Sequence, residues 1–168
     1  MRRLVLVGLP ATGKTTVARA LADEWQVQAL DTDDIVAQNV GMSAAQYLRA
    51  EGEANFRDRE LDALRSVVHG VADVVVATGG GIVTSADARS ILAAEFTLWL
   101  DCDDEVLLSR LDDAERPLLE PGAAEALARL RTERDEWYRE VARARIDCAA
   151  SIDEVVARVT REVDRLTR

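Results

Sequence analysis

Near its amino terminus the chain reads Gly8-Leu9-Pro10-Ala11-Thr12-Gly13-Lys14-Thr15-Thr16, which has the spacing of a phosphate-binding P-loop, G-x-x-x-x-G-K-[ST]. An apolar run over 4–7 precedes this loop and predicts a short buried strand, and residues 17–22 continue as a helix. The chemistry needs this context, because glycines let successive N–H groups face one anion and the helix N-terminus adds its positive dipole end. An ordinary glycine-containing turn is the alternative, and the full spacing disfavours it. We therefore expect the whole segment 8–16 to bind the phosphates of a nucleotide.

Two side chains of this loop are expected to act directly on the ligand. Lys14 would reach the outer phosphates, and the hydroxyl of Thr15 would bind Mg²⁺. Lys14 is also the only lysine among the 21 cationic residues of the chain. A compact ammonium on a flexible stem suits this position, and a guanidinium does not replace it. The lone lysine therefore supports the assignment.

The composition suits a single globular domain over 1–168. Apolar residues make up 48% of the chain and charged residues 31%, which are ordinary values for a packed protein. The net charge of -10 argues against nucleic-acid binding, which normally requires a basic patch. No apolar run is long enough to span a membrane, and the two widely separated cysteines suit a reducing compartment. We expect a monomeric cytoplasmic domain without a leader segment.

Predicted strands alternate with predicted helices along the chain. The strands fall at 4–7, 27–30, 71–77, 95–100 and 144–149. This alternation predicts an α/β fold with three α/β/α layers around a five-stranded parallel sheet. In such folds ligands bind at the carboxyl ends of the strands. The P-loop, Asp31–Asp34 and Gly79–Gly81 all follow predicted strands, so we expect them to converge.

An acidic run, Asp31-Thr32-Asp33-Asp34, follows the second predicted strand. On an extended strand end the side chains of Asp31 and Asp33 would face the same side. One could then hold Mg²⁺ through water, and the other could accept a proton from an acceptor hydroxyl. The alternative is an N-cap for the next helix, a role that Asp performs well. The P-loop favours the functional interpretation for Asp31 and Asp33, whereas Asp34 fits a helix start.

Two arginines fall on apolar helix faces. Arg57 has Glu53 and Glu60 one turn away, and these carboxylates could simply pair with it. Arg134 has no carboxylate at the corresponding positions of its helix. Because a cation on an apolar stripe is costly without an anion, we expect Arg134 to meet a partner from elsewhere in the chain or a ligand. Together the two arginines could grip a planar carboxylate.

Glycines and arginines mark two further segments. Gly79-Gly80-Gly81 follows a valine-rich strand and permits close approach of a ligand, although a flexible turn is the alternative. Arg110 and Arg116 flank Leu111–Glu115 beside Pro117, in a polar, proline-containing stretch. This stretch, about 112–122, could form a lid that excludes water and neutralises a phosphoryl group. Ion pairs with neighbouring acidic residues explain these two arginines equally well.

Six motifs follow one another in a specific order. They are the P-loop, Asp31-Thr32-Asp33, Gly52-Glu53-x-x-Phe56-Arg57-x-x-Glu60, Ala77-Thr78-Gly79-Gly80-Gly81, Arg116-Pro117-Leu118-Leu119 and Arg134-x-x-x-Tyr138. In this order they resemble the shikimate kinase family, within the nucleoside-monophosphate-kinase-like branch of P-loop proteins. The resemblance covers nearly the whole chain. It implies a P-loop kinase fold with a small acceptor-binding helical segment at about 32–60 and a lid at about 112–122.

The resemblance also implies an activity. Members of this family transfer the γ-phosphate of ATP to the 3-hydroxyl of shikimate, a step of aromatic amino-acid biosynthesis. It implies that Lys14 and Arg116 are catalytic and that Arg116 approaches the phosphates from the lid. Arg110 would lie near the adenine, and Thr15 with Asp31 would serve Mg²⁺.

The same resemblance assigns the acceptor side. Asp33 would contact the acceptor hydroxyls as the candidate base, Gly79–Gly81 would line the ring, and Arg57 with Arg134 would bind the shikimate carboxylate. Two alternatives stay open at this point. One is a related small-molecule kinase for gluconate or a nucleotide, and the other is a non-catalytic nucleotide-binding module.

Overall fold

Five parallel strands form one sheet in the order β2-β3-β1-β4-β5, in a computed structural model that describes residues 3–70, 73–111 and 122–168. The strands are β1 (Arg3–Val7), β2 (Gln28–Asp31), β3 (Val74–Ala77), β4 (Phe96–Asp101) and β5 (Ala144–Asp147). The side chains of β1 from Leu4 onward and of all of β3 are buried. This is expected for central strands of a parallel sheet that is covered on both faces. The predicted five-stranded parallel sheet is confirmed.

Seven α-helices cover the sheet in the described part of the chain. They are α1 (Lys14–Trp25), α2 (Thr32–Val40), α3 (Ala44–His69), α4 (Ala86–Ala94), α5 (Asp104–Ser109), α6 (Ala123–Val141) and α7 (Ile152–Thr167). Helices α1 and α7 pack against each other on one face, and α4 and α6 pack together against β4 on the other. The chain therefore has the predicted three α/β/α layers.

The segment after β2 has a small core of its own. Helix α3 contains a break at Gly52, whose φ of 81° and ψ of 169° are not helical, and its longer part then runs back along α2. Val36, Phe56 and Ala63 form a buried cluster between α2 and α3. This packing fixes one end of α3 against α2, and therefore fixes the direction in which the charged residues of α3 face the sheet.

The two cysteines meet at the carboxyl end of the sheet. Cys102 follows β4 and Cys148 follows β5, and their sulfur atoms lie 3.2 Å apart as free, buried thiols. Within the described ranges, no helix has both the length and the apolar character required to cross a bilayer.

Candidate active site

The P-loop connects β1 to α1 and holds its lysine over the loop backbone. Gly13 caps α1 in a left-handed conformation, with φ of 85°. The ammonium of Lys14 donates hydrogen bonds to the carbonyls of Gly8 at 2.9 Å and of Leu9 at 2.8 Å, and only 8% of the residue is exposed. A cation is thus held at the positive end of a helix dipole, which is the arrangement that a phosphate requires.

Asp31 caps α2 and also contacts the P-loop. As the last residue of β2 it accepts a hydrogen bond from the backbone N–H of Asp33 at 2.9 Å and so caps α2. Its other oxygen accepts a hydrogen bond from the Thr15 hydroxyl at 2.6 Å. The expected extended geometry for both carboxylates is wrong, because Asp33 lies in the first turn of α2. The cap turns the chain into a helix directly after Asp31.

A cleft of about 500 Å³ opens between the P-loop and the ends of the strands. Its lining includes Pro10, Ala11, Gly13, Lys14, Thr15, Thr16, Asp31, Asp33, Thr78, Gly79, Gly80 and Arg110. Most residues predicted to bind nucleotide or acceptor therefore face one space. Ala150, Ser151 and Ile152, near the carboxyl terminus, also line it. Arg57, Gly81 and Arg134 do not belong to this lining and form a neighbouring cluster.

The glycine triplet 79–81 lies between the cleft and that cluster, and charged side chains approach it closely. A Cβ atom on Gly79 would lie 2.8 Å from a carboxylate oxygen of Asp33 and would overlap the carboxylate of Glu60. A Cβ atom on Gly81 would overlap the guanidinium of Arg57. A larger residue at either position would have to displace these charged side chains, because they lie directly against the loop backbone. The alternative of an unconstrained flexible turn is wrong.

Arg57 is paired by the two glutamates of its own helix. Its guanidinium contacts Glu53 at 2.8 Å and also forms an ion pair with Glu60. Burial lowers the pKa of Arg57, but the attraction and hydrogen bonds of the two carboxylates outweigh it and raise that pKa. The Nε atom of Arg57 is buried and has no hydrogen-bond acceptor among the described residues. Arg57 therefore pairs within its own helix, as the sequence allowed, and its Nε–H is still available as a donor.

Glu60 is a fully buried carboxyl group at the centre of the cluster. Burial raises its pKa from 4.5 to about 7, and the nearby charge of Asp33 adds to this shift, while attraction to Arg57 and Arg134 opposes it. Its Oε1 atom has no hydrogen-bond partner in the described part of the protein. Leaving a buried carboxyl oxygen without a hydrogen bond costs free energy. A ligand that donates a hydrogen bond to this oxygen would remove that cost.

Arg134 lies on α6 with only 2% of its surface exposed. The nearest carboxylate that pairs with it is that of Glu133, at 3.7 Å, and the Nε of Arg134 has no hydrogen-bond acceptor within the described ranges. Burial raises the pKa of Tyr138, one turn later on the same helix, and the positive charge of Arg134 opposes this shift. Within the described ranges its pairing carboxylate belongs to its sequence neighbour, and the expected partner from elsewhere in the chain or from a ligand stays a prediction.

The titration of Glu60 leads to a stability prediction. The folded protein holds the Glu60 proton up to about pH 7, whereas the unfolded chain releases it near 4.5. Between these values the folded state binds more protons, so the free energy of unfolding falls as pH rises through this window, by on the order of 1–3 kcal/mol. Urea titrations across the window should show this slope in the wild type and its loss in Glu60→Gln.

The control for this measurement is Glu53→Gln, which alters the half-exposed partner of Arg57 and leaves Glu60 in place. It should keep the wild-type slope. Equal slopes for the wild type and Glu60→Gln would contradict the assignment of the titration to Glu60.

Of the two arginines expected near the lid, the structure describes only Arg110. Arg110 ends α5, donates a hydrogen bond to the carbonyl of Cys148 at 2.9 Å, and approaches the carbonyl of Ala11 in the P-loop at 3.5 Å. It therefore spans the rim of the cleft. Arg116 and the lid segment predicted at about 112–122 lie outside the described residues, apart from Gly122.

Two functional neighbours of the triplet were not recognised from the sequence. The hydroxyl of Thr32, which is fully buried, accepts a hydrogen bond from the Gly79 N–H at 3.0 Å. The hydroxyl of Tyr138 donates one to the Gly80 carbonyl at 2.5 Å. Each lies in a motif already noted, beside Asp31 or four residues after Arg134, but only the fold shows that both hold the glycine loop.

Comparisons with known proteins agree with this geometry. A family model described as shikimate kinase matches residues 10–164. A shikimate kinase from Geobacter sulfurreducens is 40% identical over 162 residues, covering 94% of this chain and 88% of its own. The structure of a shikimate kinase from Acinetobacter baumannii in complex with shikimate superposes with a TM-score of 0.92 at 32% identity, covering 97% of this chain and 93% of that one.

A more distant similarity shows that the fold alone does not distinguish kinases with different acceptors. A gluconokinase from Sinorhizobium meliloti 1021 matches with a TM-score of 0.64 at 17% identity, over 98% of this chain and 93% of that one. It shares the fold and carries no further argument about the acceptor. The family model and the 40% identical relative are decisive, and the chain belongs to the shikimate kinase family.

Proposed function

We propose that the protein transfers the γ-phosphoryl group of ATP to the 3-hydroxyl of shikimate, giving shikimate 3-phosphate and ADP. The observation that carries this proposal is the buried cation Arg134, whose charge acts on Glu60, the buried partner of Arg57. Two guanidinium groups with unused Nε–H donors form a site for an anionic acceptor. Shikimate carries the carboxylate that such a site would bind and the hydroxyls that Asp33 would contact.

The nucleotide side is supplied by the P-loop. Its backbone and Lys14 would bind the β- and γ-phosphates. The Thr15 hydroxyl donates a hydrogen bond to Asp31 at 2.6 Å, and these two hard oxygen groups would hold Mg²⁺ together with water and the phosphates. Among the described residues, no group of three or more His, Cys, Asp or Glu side chains forms a closed metal cage. When bound, Mg²⁺ would neutralise charge on the phosphates.

The acceptor side positions the attacking hydroxyl. Asp33 lines the cleft and would accept the proton of the 3-hydroxyl, while Arg57 and Arg134 would fix the carboxylate at the other end of the ring. Phosphoryl transfer depends mainly on such positioning and on charge neutralisation. Arg116, outside the described residues, is proposed from the family resemblance as a further cation near the phosphates.

The proposal is tested by measuring ADP release with shikimate, gluconate and nucleoside monophosphates as acceptors. We expect release that depends on shikimate, with the other acceptors near the background rate. Release with gluconate or a nucleotide alone would indicate a related kinase, and nucleotide binding without release on any acceptor would indicate a non-catalytic module.

The same assay has an arm specific to the acceptor site. Arg134→Ala should raise the KM for shikimate roughly 10–100-fold, since it removes charge-assisted hydrogen bonds, and should leave the KM for ATP unchanged. Arg139→Ala is the matched control on the same helix, because Arg139 is 64% exposed and pairs only with Glu136 among the described residues. Calorimetry showing wild-type shikimate affinity in Arg57→Ala and in Arg134→Ala would remove the carboxylate assignment.

A further inference from the structure

Tyr138 places one buried hydroxyl between α6 and the glycine loop. The residue is fully buried, and its ring stacks on Trp99 with 5.7 Å between ring centroids. Its hydroxyl donates to the Gly80 carbonyl at 2.5 Å. Arg134, one turn earlier on α6, is buried on the same face of that helix. A single phenol on the helix that carries Arg134 is therefore bonded to the loop that borders the nucleotide cleft.

The hydrogen bond to Gly80 also sets the direction of the next N–H. The Gly80 carbonyl and the Gly81 N–H belong to one planar trans peptide, so holding the carbonyl toward α6 directs the N–H to the opposite side. A run of three glycines has little intrinsic preference for one peptide orientation. In the described part of the chain the Gly81 N–H has no acceptor within the protein, which leaves this donor available for a ligand.

Gly80 also packs against the P-loop. A Cβ atom on Gly80 would lie 3.1 Å from Pro10 and 3.3 Å from the Gly8 carbonyl. The peptide that Tyr138 holds is thus packed against the P-loop on one side and continues to Gly81, against Arg57, on the other. The orientation of this peptide therefore depends on both the P-loop and the residues proposed to bind the acceptor.

We propose that Tyr138 is a positioning residue of the acceptor site, whose hydroxyl fixes the Gly80–Gly81 peptide in the orientation that binds the carboxylate-bearing acceptor. The identity of that acceptor rests on the proposed function, whereas the effect on the loop does not. Tyr138 itself is fully buried, and it acts through the glycine backbone.

The first test is kinetic and uses Tyr138→Phe, which removes the hydroxyl and keeps the ring that stacks on Trp99. The KM for shikimate should rise about tenfold, the effect of losing one buried hydrogen-bonding group, with the KM for ATP unchanged. Thr97→Val is the matched control, because the Thr97 hydroxyl is also fully buried and donates to a backbone carbonyl, that of Leu92, at 2.6 Å. It should lower Tm by a similar amount and leave the KM for shikimate unchanged.

The second test needs no activity. The chain has 9 glycines, and its only Gly–Gly junctions are 79–80 and 80–81. Labelling glycine with carbonyl ¹³C and ¹⁵N therefore leaves only these two junctions visible in an HNCO spectrum. The Gly80–Gly81 signal should move and broaden in Tyr138→Phe and stay in place in Thr97→Val.

The two measurements distinguish a failure of the proposed function from a failure of the inference about Tyr138. A wild-type protein without shikimate-dependent ADP release would end the proposed function, while the spectra of the free protein would still decide whether Tyr138 fixes the peptide. An unmoved Gly80–Gly81 signal in Tyr138→Phe overturns the inference. So does a moved signal together with an unchanged KM for shikimate in an active enzyme.

Discussion

Lys14→Ala should reduce turnover by about 10³-fold or more, the scale expected when one preorganised charge is removed from a transferring phosphoryl group. The Lys14 ammonium lies within 2.9 Å of two loop carbonyls and is almost completely buried. Lys14→Arg should fail as well, because a planar guanidinium is too large for this enclosed position. The measurement is the rate of ADP release at saturating shikimate and ATP.

The control for this prediction uses the unusual composition of the chain. Because Lys14 is the only lysine, an amine-acylating reagent can modify only this side chain and the terminal amine. Mass spectrometry should find Lys14 modified slowly in the free protein and protected by ATP. A Tm for Lys14→Ala close to that of the wild type would show that lost turnover is not lost folding. Acylation that ATP does not slow would contradict contact between Lys14 and nucleotide.

The parts of the fold that the sequence predicts are those with a local signal. The alternation of apolar runs with helical periods specifies the five parallel strands, and the P-loop spacing specifies the first turn between β1 and α1. The error at Asp33 is also local. Extended chain and helix N-cap are compatible with the same acidic run, and only the hydrogen bond from the Asp33 N–H to Asp31 shows where the helix begins.

The parts of the site that the sequence could not predict depend on contacts between distant residues. The pairing of Arg57 with Glu53 and Glu60 follows from helical spacing, but the complete burial of Glu60 and its raised pKa do not. Those arise because Gly79 brings the loop after β3 against α3. Likewise Tyr138 and Gly80 are 58 residues apart, and no sequence period reports their hydrogen bond.

Asp33→Asn should lower kcat by about 10²–10⁴-fold, the usual contribution of a general base. The substitution preserves shape and leaves the N-cap intact, since the backbone N–H of residue 33 and not its side chain bonds to Asp31. We therefore expect kcat to fall far more than the affinity for either substrate changes. Initial rates with each substrate varied separately would show this split.

Asp34→Asn provides the matched control for Asp33→Asn. Asp34 is the next residue of α2, is exposed, and pairs with Arg19 at 3.5 Å, so its change should leave kcat at the wild-type value. The comparison also decides between two descriptions of the chemistry. The transition state of phosphoryl transfer is loose, so the hydroxyl proton can leave late and a base can matter little. If Asp33→Asn kept most of the wild-type kcat, Asp33 would only orient the hydroxyl, and catalysis would rest on Lys14 and the other charges around the phosphates.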